Sequence, residues 1–323
     1  MRRILFLTSV PPDIVVDYVA NNDWSNTMLP ELLSKISASV TIKLWRDEDI
    51  ISTILSHDTV TFLWAEDYIR HPTQFAQFLE TADSAIRTSA TPPRVVNNLA
   101  LVRWNVNKKY LLDMKGAGFN VPATEIIEPE GYQDASALHN RLLHFQSSGP
   151  IVLKPAISAS SNNTHLVNDI ASLLPVDIAY LNSCTEGSLQ SSLVAQQFEP
   201  AIAHGEYSFV FVGDKLTHAA LKKPKQGEFR CQAEFGGRMS HVPLEEIEER
   251  ILSTIKLIFE TLKGWFGEGA TKEMGYLRID GLITDTRGFV LMEVEAIEPE
   301  LSLEMGGLQE MLSILVSKDL SAN

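Results

Sequence analysis

Three carboxylates and an arginine fall on two short apolar runs in YLRIDGLITDTRGFVLMEVEA, residues 276–296. Strand alternation places Tyr276, Arg278, Asp280 and Leu282 on one face of the first run, and Phe289, Leu291, Glu293 and Glu295 on one face of the second. Thr284–Gly288 has hairpin-turn chemistry, and closure there sets Asp280 opposite Glu293 and Arg278 near Glu295. Like charges facing each other across a strand pair repel, and carboxylates among Leu, Phe and Tyr are unfavourable unless a cation sits among them. Hard oxygen donors on adjacent strands suit Mg²⁺, which shares carboxylates with substrate phosphates more readily than it enters an all-protein cage. Asp280, Glu293 and Glu295 are therefore candidate metal ligands, with Arg278 placed to neutralise an anion forming beside them. The plain alternative is a solvated face on which Arg278 pairs with Glu295.

Other residues point the same way. Lys154 ends the apolar run of GPIVLKP and is followed by Ser158, Ser160, Ser161, Asn162, Asn163 and Thr164. Small residues let amides and hydroxyls approach phosphate oxygens, and a lysine adds a point charge; an exposed turn with a snorkelling lysine is the bland reading. The run SSLVAQQFEP leads into Gln196, Gln197 and Phe198, an amide and an aromatic edge suited to adenine, and Glu206 lies where it could accept from ribose hydroxyls. Lys108 and Lys109 open a helical stretch. Lys222, Lys223 and Arg230 cluster with Gly227, Gly236 and Gly237, a pattern for a lid over anions or, equally, a solvated basic loop. The sequence contains no P-loop, no G-x-G-x-x-G, no G-x-S-x-G elbow and no metal-ligand spacing among its eight histidines.

Elements must hold these groups. Residues 1–98 alternate short apolar runs (Ile4–Leu7, Val40–Leu44, Val60–Trp64, Arg94–Val96) with amphipathic stretches at Leu29–Ile36 and Thr73–Ile86, which predicts a small parallel sheet with helices. Arg103–Ala117 reads as one helix and Leu138–Phe145 as another, while 149–167 reads as strand, polar loop, strand. Tyr207–Val212 and Leu216–Lys222 form a hairpin about Gly213-Asp214; Glu245–Trp265 has helical apolar spacing, and Leu308–Val316 is a last helix. The order is α/β followed by α+β.

Composition bounds the partners. The 323 residues carry 27 Lys+Arg against 41 Asp+Glu, a net charge of −14 that disfavours nucleic acid. Two cysteines, Cys184 and Cys231, form no C-x-x-C, which predicts a reducing cytoplasm. The opening MRRILFLTSVPPD has too short an apolar run for a secretory segment, and no stretch reaches transmembrane length, so no membrane partner is expected.

Taken in this order, Lys108/Lys109, Lys154 with its small-residue loop, Gln196-Gln197-Phe198, Glu206, Arg278-x-Asp280 and Glu293-x-Glu295 resemble the ATP-grasp superfamily over about residues 100–305. The phrases VVNNL, NKKYLL, VPATE, VLKPAISAS, QQFEP, GEYSFVF, THAALKKP, GEFRCQAEFGG, LRIDGLI and LMEVEAIEPELSL are similar to the glutathione-synthetase-like branch, which includes an O-ureido-serine cyclo-ligase of cycloserine biosynthesis. That resemblance implies an ATP-grasp fold: an α/β pre-grasp domain at 1–98, a central subdomain at 99–195 with the phosphate loop, and a C-terminal subdomain at 196–323 with the metal-binding hairpin. It implies an ADP-forming ligase that joins the carboxylate of a small amino-acid-like substrate to nitrogen through an acyl phosphate, and possible ring closure within one molecule. It assigns Lys154 and one of Lys108/Lys109 to the α/β-phosphates, with Ser160 and Ser161 in the phosphate loop. Gln196, Gln197 and the Phe198 backbone take adenine, and Glu206 takes ribose. Asp280, Glu293 and Glu295 take two Mg²⁺ ions, for which Mn²⁺ is an admissible substitute. Lys222 takes the transferred phosphate, Arg278 the tetrahedral intermediate, Arg230 the substrate carboxylate; a homodimer is the family habit. Two positions depart from the pattern, Glu295 where many members have Asn and a Ser/Asn-rich phosphate loop where many have glycines. The competing readings are a non-catalytic nucleotide-binding regulatory protein with a degenerate grasp fold, and an α/β protein binding a sugar or amino acid without nucleotide.

Overall fold

The computed structural model describes residues 1–11, 25–185, 191–267 and 274–317. Three sheets are formed among them. The first is parallel, order β2-β1-β3-β4, from β1 (Arg3–Thr8), β2 (Ser39–Leu44), β3 (Thr59–Trp64) and β4 (Arg94–Val96). Every residue of β3 is buried, which is why its sequence is an unbroken run rather than an alternation. Helices Ser25–Lys35 and Pro72–Thr88 connect the strands, their ends one to four residues from those of the predicted stretches.

The second sheet is antiparallel, order β5-β8-β6-β7, from β5 (Thr124–Ile127), β6 (Ile151–Pro155), β7 (His165–Val167) and β8 (Leu193–Gln197). The third has order β11-β10-β9-β12-β13, from β9 (Glu206–Val212), β10 (Lys215–Lys223), β11 (Arg238–Val242), β12 (Tyr276–Thr284) and β13 (Gly288–Glu295). Strand β11 was not legible, because its residues are almost all exposed and carry no alternation.

The two faces of this third sheet differ. Phe209, Phe211, Leu277, Ile279 and Leu291 point to a core with Ile255, Ile258 and Phe259 of helix Glu249–Phe266. Phe211 stacks on Phe259 at 4.2 Å. On the other face, Val210, Val212 and Tyr276 join a core with Ile4 and Phe6 of the first sheet and with Met311, Leu312 and Leu315 of the final helix, Leu308–Val316. What remains of that face carries the charged residues.

Two sequence expectations are corrected. The register pairs Asp280 with Glu293 and Arg278 with Glu295 as expected, but it shifts between Asp280 and Gly281, so that Gly281 faces Leu291. This β-bulge turns Phe289 and Leu291 onto the core face, where Phe289 meets Phe209 edge-on at 5.7 Å, and leaves Met292 lining the cleft. A Cβ on Gly281 would come within 2.3 Å of the Phe289 ring, so glycine is required beside Asp280. The second correction concerns Arg103–Ala117, which is two helices, Leu99–Asn105 and Tyr110–Gly116. Between them the Asn107 side chain accepts from the Lys109 N–H at 2.9 Å, and the Lys108 N–H donates to the Ala156 carbonyl at 2.8 Å.

The outer edge of β13 is closed by the segment that carries this break. Asn105 donates to Val294 O at 2.6 Å and accepts from Ala296 N at 2.8 Å. The Val294 N–H donates to the Tyr110 hydroxyl at 3.2 Å, and the Leu291 N–H to the Asn120 carbonyl at 2.8 Å. An edge strand is thereby satisfied without a further strand. Asn105→Ala strands two buried backbone groups, so a loss of about 2–3 kcal/mol is expected in urea unfolding; a midpoint within error of wild type would contradict it.

Candidate active site

A cleft of about 1230 Å³ lies between the three sheets, lined by Lys108, Lys154, Ser158 to Thr164, Gln196, Gln197, Phe198, Glu206, Lys222, Arg230, Arg278, Asp280, Glu293 and Glu295. All but one of the predicted site residues are thus gathered in one place. The exception is Lys109, which is about half exposed and pairs with Glu128 outside the cleft.

Its floor is a charge cluster. Asp280 is 2% exposed. It accepts from Arg278 Nε at 3.0 Å and Nη2 at 2.9 Å, from Lys222 Nζ at 3.1 Å and from the Ser208 hydroxyl at 2.6 Å. Burial works against its ionisation, but Arg278 and Lys222 together hold it well below the usual carboxylate range. Arg278 also donates to Glu295 at 2.5 Å and to the Glu300 carbonyl at 3.0 Å. Lys108, freed from helical geometry by the break, reaches Glu293 at 2.5 Å and the Ser158 carbonyl at 2.8 Å. Despite burial, Lys108 and Lys154 keep Glu293 below its ordinary value. The carboxylates are therefore already countered by this protein's own cations; a metal is not needed to make them tolerable indoors.

That finding narrows the metal reading. No group of three His, Cys, Asp or Glu side chains converges to hold an ion among the described residues. Glu293 and Glu295 each engage one oxygen with a cation and retain a second, which fits hard-cation ligation shared with phosphate. Asp280 fits only if Lys222 moves away, since four donors already converge on it.

Lys154 forms no ion pair within 4 Å among the described residues and aims into the cleft, where burial lowers its ammonium pKa. Ser160, Ser161 and Asn163 hold positive φ of 51°, 53° and 53°, the left-handed region that favours glycine. Gln196 is tied to Thr124 through its Nε2 at 2.9 Å. The Phe198 N–H donates to the Pro150 carbonyl at 2.9 Å, so only its carbonyl is left for a ligand. Glu206 faces Lys222 in register, 3.4 Å from it, and burial raises its pKa against that pull. In the predicted lid, Arg230 is bound to Glu228 at 2.7 Å and covers the Phe235 ring at 3.6 Å.

Two contributors, Ser208 and Glu66, were missed. Ser208 is the polar residue in the otherwise apolar run YSFVFV, on the Glu206 side of β9, and that placement was a usable signal. Glu298 and Glu66 line the same cleft; burial, then Glu295 and Glu66, raise Glu298 well above the ordinary range. Glu66 lies in no motif, so nothing in the linear pattern marked it, whereas Glu298 falls within LMEVEAIEPELSL.

This arrangement of a parallel sheet beside two antiparallel sheets around a cleft is the ATP-grasp fold. Residues 134–266 match the family model of the prokaryotic glutathione synthetase ATP-grasp domain. Among solved structures, D-cycloserine synthetase DcsG superposes with a TM-score of 0.75 at 18% identity, covering 98% of each chain. D-alanine–D-alanine ligase from Bacillus anthracis complexed with ATP gives 0.62 at 14% identity, covering 98% of this chain and 95% of that one. Macrocyclase MdnC, bound with precursor peptide MdnA from Microcystis aeruginosa MRC, gives 0.58 at 14%, covering 98% and 99%. A search of curated proteins returns no match. No helix among the described residues is long and apolar enough to cross a membrane.

The cluster makes stability depend on pH in a defined direction. Burial, opposed by Arg278 and reinforced by Glu293 and Asp280, raises Glu295 from 4.5 to about 7. The folded value lies above the unfolded one, so the protonated carboxyl favours the fold below the unfolded value, and that contribution is lost as pH rises through 7. Without divalent metal, stability is expected to fall by about 1–3 kcal/mol between roughly pH 5 and pH 8. Glu295→Gln should flatten this slope in thermal melts; an unchanged slope would count against the assignment.

Proposed function

We propose that the chain is an ATP-dependent ligase that joins a carboxylate to an amine nitrogen, releasing ADP and phosphate. The observation that carries this reading is the paired register of Arg278-x-Asp280 and Glu293-x-Glu295 on the cleft floor, with Lys108, Lys154 and Lys222 disposed around it. An oxygen of the substrate carboxylate attacks the γ-phosphorus of ATP, the bond to the β-phosphate oxygen breaks, and ADP leaves. The nitrogen then attacks the acyl phosphate carbon, phosphate departs with the C–O electron pair, and the nitrogen proton passes to phosphate.

The chain contributes position and charge, as in other phosphoryl transfers. Lys154 and Lys108 hold the α- and β-phosphates, with amides of the Ser160–Ser161 loop around them. Lys222 follows the transferred phosphate, and its movement from Asp280 frees that carboxylate. Arg278, held on three sides by Asp280, Glu295 and the Glu300 carbonyl, presents a fixed charge to the tetrahedral oxyanion. Gln196, Gln197 and the Phe198 carbonyl face adenine, and Glu206 the ribose. Arg230 exchanges Glu228 for the substrate carboxylate as its loop closes and excludes water. Glu293, Glu295 and then Asp280 would hold Mg²⁺ or Mn²⁺, which would supply positive charge against the phosphate oxygens. The subdomain limits we propose are 1–98, 99–195 and 196–323. Cys184 and Cys231 are both free thiols, which supports a cytoplasmic setting.

The similarity to D-cycloserine synthetase supports a small amino-acid-like substrate that carries both acid and nucleophile and closes to a ring. The test is ADP release with candidate amino acids, followed by product mass. Loss of one water without a second amine establishes ring closure, and a mass joining two substrates overturns it. Asp280→Asn and Glu293→Gln are each expected to lower turnover at least about a hundredfold; wild-type turnover in both removes the metal reading. The two adjacent lysines separate cleanly. Lys108→Met should weaken Mg-ATP binding at least about tenfold, whereas Lys109→Met should stay within about twofold; the reverse outcome would reassign the phosphate contact.

A further inference from the structure

The loop after β6 carries strain that something must maintain. Ser160, Ser161 and Asn163 occupy left-handed φ, which residues bearing a Cβ enter at a penalty and keep only where the surroundings over-determine them. Two turn bonds, Asn162 N to Ala159 O at 3.0 Å and Thr164 N to Ser161 O at 3.1 Å, close the loop on itself, and Lys108 holds its Ser158 end through the carbonyl at 2.8 Å.

At its Asn163 end the loop is tied by Tyr180, on helix Pro175–Thr185. The phenol donates to the Asn163 carbonyl at 2.6 Å and reaches the Leu153 carbonyl of β6 at 3.3 Å. Burial raises its pKa, so it stays a donor. The ring stacks on His165 of β7, centroids 4.6 Å apart and planes 15° from parallel. His165 is itself oriented, its Nε2 lying 2.7 Å from Asp177 Oδ1, while Asp177 Oδ2 accepts from the Leu174 N–H at 2.8 Å. Asp177 is 3% exposed. A continuous chain of contacts thus runs from the helix start through Asp177, His165 and Tyr180 to the strained loop.

We infer that Tyr180, oriented by His165 and Asp177, is a positioning residue that holds the 158–164 loop in its phosphate-accepting shape. It therefore governs affinity for the triphosphate and leaves that for the nucleoside unaltered. This rests on the ligase reading above, because the phosphate role of the loop comes from it. Removing the hydroxyl leaves the ring stack in place but deletes the bond to Asn163, and the loop loses the contact that opposes its strain.

The experiment compares wild type with Tyr180→Phe by calorimetric titration with Mg-ATP and with adenosine, and by amide hydrogen exchange of the nucleotide-free protein. Mg-ATP should bind about tenfold more weakly to the variant and adenosine within about twofold of wild type. Exchange should quicken in residues 158–164. In a Ser160→Gly, Ser161→Gly background, where glycine removes the strain, the Tyr180→Phe effect on Mg-ATP should shrink to less than about threefold. Equal losses for Mg-ATP and adenosine, an unchanged Mg-ATP affinity, or an undiminished effect in the glycine background would each overturn the positioning role. Wild type that fails to bind Mg-ATP at all would instead overturn the ligase reading, and the positioning role with it. Should Tyr180→Phe not fold, Asp177→Asn, which loosens His165 beneath the ring, is measured against the same outcomes.

Discussion

The ionised state of Asp280 depends on four donors meeting at one buried carboxylate. Taking a charge out of water is strongly unfavourable, and its partners offset that only when geometry leaves no lone pair unmet. Here the donors come from three strands: Arg278 from β12 itself, Ser208 from β9 and Lys222 from β10. A slip of one residue in any pairing would carry its donor to the opposite face. The charge cluster thus requires the register, and the register in turn is fixed by the apolar residues beneath it and by the asparagine and tyrosine contacts along β13.

The same cluster sets the terms on which ligands enter. The acidic residues of the hairpin, together with Glu206, are each matched to a cation that the proposed mechanism also uses, Lys108 with Glu293, Lys222 with Asp280 and Glu206, Arg278 with Glu295. Incoming phosphate and metal therefore exchange one set of charge pairs for another, without opening a site that was electrostatically bare. Lys154 differs, since it lies in the cleft without an ion-pair partner among the described residues. Such a lysine meets a phosphate without first giving up a carboxylate.

Much of this was legible in the linear pattern because alternation and hairpin chemistry are local. The pairing of Asp280 with Glu293 followed from the position of the turn alone. The bulge at Met292 was not, since it depends on how Phe289 seats against Phe209 and Gly281 across the sheet. The break at residues 106–109 was missed for a similar reason. NVNKK has no glycine or proline, and its helical hydrogen bonding yields to the Ala156 carbonyl, about fifty residues away in sequence, and to the Asn107 side chain. That break also sends the two lysines to different places, Lys108 into the cleft and Lys109 to Glu128 outside it. The nature of the counter-charge was misjudged, because residues far apart in sequence supply it: Lys222 comes from β10 two strands across the sheet, and Lys108 from the segment that closes the edge of β13.

The final helix has its own consequence for how the chain is made. Ile4 and Phe6 share a core with Leu301, Met311, Leu312 and Leu315. During synthesis the last strand of the first sheet emerges about two hundred residues before the helix that covers it, and synthesis proceeds at roughly 5–20 residues per second. For tens of seconds an apolar sheet face waits for its cover, a window in which chaperone shielding or premature association would decide the yield of folded protein.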